Sequence, residues 1–152
     1  MEKNKALALG MEYCARSEKS TKETRNFLAS KGVNPEHIDG ILAQLKEEGF
    51  IDDLRYATAF VADKYRFNSW GRKKISYQLG SKGIPSSIIN KALETLDSDQ
   101  YYEHLTEQLE KKLGSIKGGS YYDKKAKLIR FAAARGYEMD LIYNAIDELL
   151  KK

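Results

Sequence analysis

The sequence predicts an all-α protein built as three tandem three-helix repeats. Three observations lead there. Leucine, alanine, lysine and glutamate are common, valine is scarce, and only two prolines interrupt 152 residues, a composition that favours helix over sheet. Apolar residues recur at helical spacing along most of the chain. Finally, Gly32, Gly83 and Gly136 each follow a basic residue, Lys31, Lys82 and Arg135. Behind each glycine the same apolar pattern returns: Ile38, Ile41, Leu42, Leu45; then Ile88, Ile89, Ala92, Leu93, Leu96; then Leu141, Ile142, Ala145, Ile146, Leu149. Matches in register behind the same turn mark an internal repeat. The repeats are expected at 1–49, 50–97 and 98–152. Units of ~50 residues are small to stand alone, so each should pack on its neighbours, and short joins favour an extended array.

The elements follow in order. Ala6 to Arg16 carries Leu7, Met11, Cys14 and Ala15 at helical spacing. Ser20 or Thr21 is suited to cap a second helix, Thr21 to Lys31, with Thr24, Phe27, Leu28 and Lys31 along one face. Gly32 can adopt the positive φ that ends a helix. Asn34 caps the next helix, Pro35 fits its first turn, and Gly49 ends it. Asp52 caps a helix to about Arg66, with Ala57, Phe60 and Val61 inward and Asp53 as a first-turn acid favoured by the helix dipole. Arg55 is placed to pair with Asp52. A turn at Asn68–Ser69 starts a helix of Trp70–Lys82, and Pro85–Ser86 start another that ends near Leu96. Residues 97–100 read as a polar join. Helices at 101–113, 121–135 and 138–150 complete the chain, with GSIKGGS (114–120) as a loop.

Charge locates the candidate surface. The net charge of +4 and pI near 9.0 are mildly basic. Yet no acid appears between Asp63 and Glu94, a window holding Lys64, Arg66, Arg72, Lys73, Lys74, Lys82 and Lys91 among Tyr65, Phe67, Trp70 and Tyr77. At 100° per residue, Ile75 and Leu79 point one way, and Trp70, Lys73, Lys74 and Tyr77 the other. Lysines interleaved with aromatics on an outward face suit a phosphate backbone or an acidic protein surface. Trp70 reads either as part of that contact or as a staple folded back on the core. A second basic run, including Lys124, Lys125, Lys127 and Arg130, follows Tyr121–Tyr122, and repeated orientation would align the two runs on one side.

Catalytic chemistry finds little support. His37 and His104 sit in no metal-ligand spacing and read as surface or helix-end residues. GSIKGGS lacks the spacing of a triphosphate-cradling loop. Cys14, the one cysteine, reads as a small core residue; it excludes an internal disulfide and fits a reducing compartment. No apolar run spans a membrane and no secretory segment opens the chain, so a cytoplasmic location is expected. No cofactor, metal or small-molecule substrate is implied.

The segment GFIDDLRYATAFVADKYRFNSWGRKKISYQLGSKGI (49–84) resembles the central part of the RecX family, regulators of the RecA recombinase. Gly49, Phe50, Ile51, Asp52, Asp53, Arg55, Tyr56, Ala57, Phe60 and Val61 fit that family's pattern, as do Trp70–Gly71, Ile75, Leu79 and Lys82–Gly83–Ile84. MEYCARSEKSTKETRNFLASKG upstream is similar to the family's first unit. The last third matches in helix pattern and its RGY turn alone. The resemblance implies three three-helix repeats in an elongated, curved arrangement. It also implies a non-enzymatic regulator that binds the RecA filament, with single- and double-stranded DNA as further partners, and mostly inhibits ATP hydrolysis and strand exchange in recombination and DNA repair. The residues expected to make contact are Arg66, Trp70, Arg72, Lys73, Lys74, Tyr77, Lys82, Lys124, Lys125, Lys127 and Arg130. The alternative is a general DNA-binding helical module without a dedicated protein partner.

Overall fold

A computed structural model describes residues 1–151. They form nine helices and no strand: α1 (Lys3–Arg16), α2 (Thr21–Ser30), α3 (Pro35–Glu47), α4 (Asp53–Asn68), α5 (Arg72–Ser81), α6 (Ser86–Leu93), α7 (Ser98–Ser115), α8 (Tyr121–Ala134) and α9 (Met139–Leu150). Among the described residues no helix is long and apolar enough to cross a membrane.

The repeated glycine turn has one geometry in all three places. Gly32, Gly83 and Gly136 have φ of 81°, 83° and 91°. In each, the glycine N–H bonds back three residues and the next N–H bonds back five: Val33 to Leu28, Ile84 to Leu79, Tyr137 to Ala132. This is the Schellman end of a helix, whose following residue usually packs back on the last turn. Val33, Ile84 and Tyr137 are accordingly all buried. The sequence repeat is thus a repeat of one helix-ending device.

The chain divides into two compact units. The first comprises Met1–Phe60 and Gln78–Ala92; the second comprises Val61–Tyr77 and the chain from Leu93 on. α4 and α5 each contribute residues to both. In the first unit α1, α2 and α3 pack against one another. Their core holds Ala6, Leu28, Ile38, Ile41, Leu42, Leu45 and Ile51. Cys14 joins it, beside the Thr24 hydroxyl at 3.8 Å, and burial raises its thiol pKa. In the second unit α7, α8 and α9 enclose Leu105, Leu109, Leu128, Ala132, Ile142, Ala145 and Ile146, with two wholly buried tyrosines, Tyr101 and Tyr137.

Caps set most helix boundaries. Ser20 and Glu23 form a capping box on α2, Ser120 and Asp123 one on α8, and Asn34 caps α3 with Pro35 in its first turn. The expected join at 97–100 is instead the start of α7, because Asp97 accepts the Gln100 N–H and caps it. α6 stops at Leu93, short of the expected Leu96. Asp52 caps the start of α4 by accepting the Arg55 N–H, but the Arg55 guanidinium does not pair with it. That side chain bonds the Glu18 carboxylate and the Gly49 carbonyl instead. Asp53 has a second role beside its first-turn position. Its carboxylate accepts both the Thr21 N–H and hydroxyl, each at 2.9 Å, tying α4 to the free N-terminal end of α2.

Candidate functional site

The candidate surface is carried by the end of α4, the 69–71 turn and the first half of α5, all in the second unit. Its inner side is fixed by backbone. The Gly71 N–H donates to the Arg135 carbonyl at 2.7 Å, and the Lys73 N–H to the Gly136 carbonyl at 2.9 Å. No side chain fits between the two turns. A Cβ on Gly71 would stand 2.5 Å from the Gly136 oxygen, and one on Gly136 only 2.3 Å from Lys74 Cβ. α5 begins at Arg72 rather than Trp70: the Trp70 N–H bonds back to Lys64 and the Gly71 N–H to Arg135 of the α8–α9 turn.

Arg72 locks the same joint. It bonds Glu138 at 2.7 Å and lies over the Tyr101 ring, 3.9 Å from its centroid. The Tyr101 hydroxyl accepts the Arg72 N–H at 2.8 Å and donates to Glu138 at 2.5 Å. Tyr65 stacks on Tyr101, and Tyr101 packs on Tyr137, whose hydroxyl meets Gln108. His104 stands edge-on to Tyr65, half-buried in mid-helix, with a pKa lowered by burial; neither surface nor helix end describes it.

Burial raises the phenol pKa of Tyr137 to about 12, and that of Tyr101, which also donates to a carboxylate, well above the usual range. Their neutral forms are favoured only in the folded state, so their contribution is complete below the ordinary phenol value of 10.0 and is lost above it. Urea melts followed by the fluorescence of Trp70, the single tryptophan, should show stability falling above pH ~10 by up to ~1.4 kcal/mol per pH unit per phenol. Tyr101→Phe should make that fall shallower; an unchanged slope would rule Tyr101 out as a source.

The outer side is open. Ile75 and Leu79 are wholly buried, Lys73 is exposed and Tyr77 is 75% exposed. Tyr77, Lys73, Arg72, Ser76 and Leu93 line a shallow groove. Trp70 is half-buried, neither tucked into the core nor free, with the Lys64 and Lys74 ammonium groups 5.1 and 4.7 Å from its ring centroid. Arg66 is exposed on α4. Lys82 belongs to the first unit, with its ammonium 5.7 Å from the Phe60 ring centroid. On α8, Lys127 and Arg130 are exposed; Lys124 and Lys125 are half-buried, and Lys125 pairs with Asp147 at 3.6 Å. The structure therefore brings Trp70, Lys73, Lys74 and Tyr77 onto one short segment and turns Arg72 inward. Among the described residues, four exposed aromatics stand outside the expected set: Phe67, Tyr121, Tyr122 and Tyr143, with Phe67 and Tyr122 the most exposed at 74% and 79%.

Comparison with known proteins assigns the chain. Residues 52–93 match the family model of the second three-helix domain of RecX, and residues 99–146 that of the third. The regulatory protein RecX of Chlorobium phaeobacteroides (strain BS1) is 32% identical over 97% of this chain and 95% of its own length. The chain belongs to the RecX family. RecX of Prosthecochloris aestuarii (strain DSM 271 / SK 413) is 33% identical over 96% of the chain and 94% of its own length. RecX of Clostridium botulinum (strain Eklund 17B / Type B) is 33% identical over 89% of the chain, which spans 64% of that longer relative. The crystal structure of RecX from Lactobacillus salivarius superposes with a TM-score of 0.90 at 25% identity, over 97% of this chain and 96% of that one. The Trp70–Gly71 turn and α5 lie inside the stretch matched to the second RecX domain.

Proposed function

We propose that this chain is a regulator acting by binding rather than catalysis: in the cytoplasm it engages the RecA recombinase filament and mostly restrains its ATP hydrolysis and strand exchange. Membership of a family of regulatory proteins supports the reading, and one structural observation carries it to particular residues. Lys73 and Tyr77 stand exposed on a helix whose buried side is fixed by a backbone joint, so a charged and aromatic surface is presented in one orientation. A rigid surface loses less conformational entropy on binding than a mobile one. Lys73, Lys74, Tyr77 and Trp70 form the central contact in this proposal. Arg66, Lys82, Lys124, Lys125, Lys127 and Arg130 add long-range attraction to a polyanionic filament. Arg72 contributes by holding the joint.

Co-sedimentation with preformed RecA filaments, together with filament ATPase measured with and without excess free DNA, tests the reading. Association with the filament and inhibition that excess DNA leaves in place are expected. Complete relief by DNA without co-sedimentation would instead favour a general DNA-binding module.

A further inference from the structure

The α4–α5 turn carries a second surface whose chemistry differs from that of the α5 face. Phe67, in the last turn of α4, is 74% exposed, with exposed Arg66 beside it. A large apolar ring on a surface is commonplace when scattered singly, so its setting has to carry the argument.

The setting is unusually fixed. Ser69 has φ 57°, a left-handed conformation that non-glycine residues seldom adopt. The Trp70 N–H bonds the Lys64 carbonyl at 3.2 Å, closing the turn, and Gly71 is bonded to Arg135. The Lys64 and Lys74 ammonium groups both lie over the Trp70 ring. The turn is thus held on both sides before any partner arrives.

The neighbouring charge decides between kinds of partner. Ser69 lines a cleft of about 820 Å³ whose wall includes Glu107, Glu110, Lys111, Lys112 and Arg135. Two of its cations are already engaged: Arg135 bonds Gln108 and lies over Phe131, and Lys112 lies 5.5 Å from the same ring centroid. Both glutamates are exposed. A phosphodiester strand, with a charge on every residue, gains little from such a mixed wall, whereas a protein surface carries both signs.

We propose that the α4–α5 turn is a protein-docking knob: Phe67 enters an apolar pocket on a recombinase protomer, and the cleft beside Ser69 faces charges of both signs around that pocket. The inference rests on the reading that RecA is the partner, and it assigns this turn to the protein of the filament rather than to its DNA. Preorganised aromatic anchors of this kind dominate binding energy at protein interfaces.

The test compares the full-length wild type with Phe67→Ala and Tyr122→Ala, each titrated against RecA filaments on an oligothymidylate and against that oligothymidylate alone. Phe67 is mostly exposed, so its truncation should leave the thermal melt unchanged. The expected result is a loss of about tenfold or more in filament affinity, with affinity for free DNA unchanged and Tyr122→Ala resembling wild type. Phe67→Ala binding filaments within twofold of wild type would overturn the proposal, as would an equal loss on free DNA, which would make Phe67 a base-stacking residue. Failure of the wild type to bind filaments would instead overturn the underlying reading, and the knob with it.

Discussion

Gly136→Ala is expected to destabilise the second unit by about 2–5 kcal/mol, the sum of two penalties. One is conformational. Gly136 has φ +91°, and a Cβ in left-handed space costs roughly 1–2 kcal/mol. The other is steric. The new methyl would lie 2.3 Å from Lys74 Cβ and 2.5 Å from Lys74 N. These atoms belong to α5 itself, so relief requires the helix to move, and such overpacking costs roughly 1–3 kcal/mol. For a chain of this size the sum corresponds to a fall of about 10 °C in Tm. Gly80→Ala is the matched control with opposite sign. A Cβ there meets nothing within 4 Å, and alanine in a helix is favoured over glycine by up to ~1 kcal/mol. Urea melts read by Trp70 fluorescence would check both, because Trp70 adjoins the joint. A Gly136→Ala protein within about 1 kcal/mol of wild type would mean that the two turns are not in backbone contact.

The same glycine shows what was legible in the sequence and what was not. Its recurrence with Gly32 and Gly83 behind a basic residue was visible as a pattern, and the pattern corresponds to a Schellman turn at all three positions. Its second role was not visible. That Gly136 receives Gly71 is a relation between residues 65 positions apart, and no local rule connects them. Arg72 failed to be read for the same reason. Its place in an acid-free window made it look like a free cation, but Glu138, which pairs with it, lies far along the chain. Asp53 is a third instance: its position at the start of α4 was legible, its bonds to Thr21 were not. Short-range periodicity performed well where a helix buries one face, as Ile75 and Leu79 show.

Lys73→Glu is the second large effect, and it should appear in binding without appearing in stability. Lys73 is exposed and makes no ion pair among the described residues; its structural contribution is its backbone N–H, which donates to Gly136 and is unaffected by the side chain. The melt should therefore match wild type within about 0.5 kcal/mol, as for other surface substitutions. Affinity for the filament, or for DNA, should fall about tenfold or more at low salt, because the change removes one positive charge and adds a negative one on a surface facing phosphates or carboxylates. The dependence of log affinity on log salt concentration should flatten by about one for each phosphate that is no longer neutralised. Arg72→Glu should behave differently. It would set a carboxylate against Glu138 and strip the cation from the Tyr101 ring, so its weaker binding should come with a loss of stability. Comparing the two neighbours separates the residue that meets a partner from the residue that holds it in place. If Lys73→Glu binds like wild type across the salt series, the exposed face of α5 is an ordinary solvated surface, and the partner must be met elsewhere on the chain.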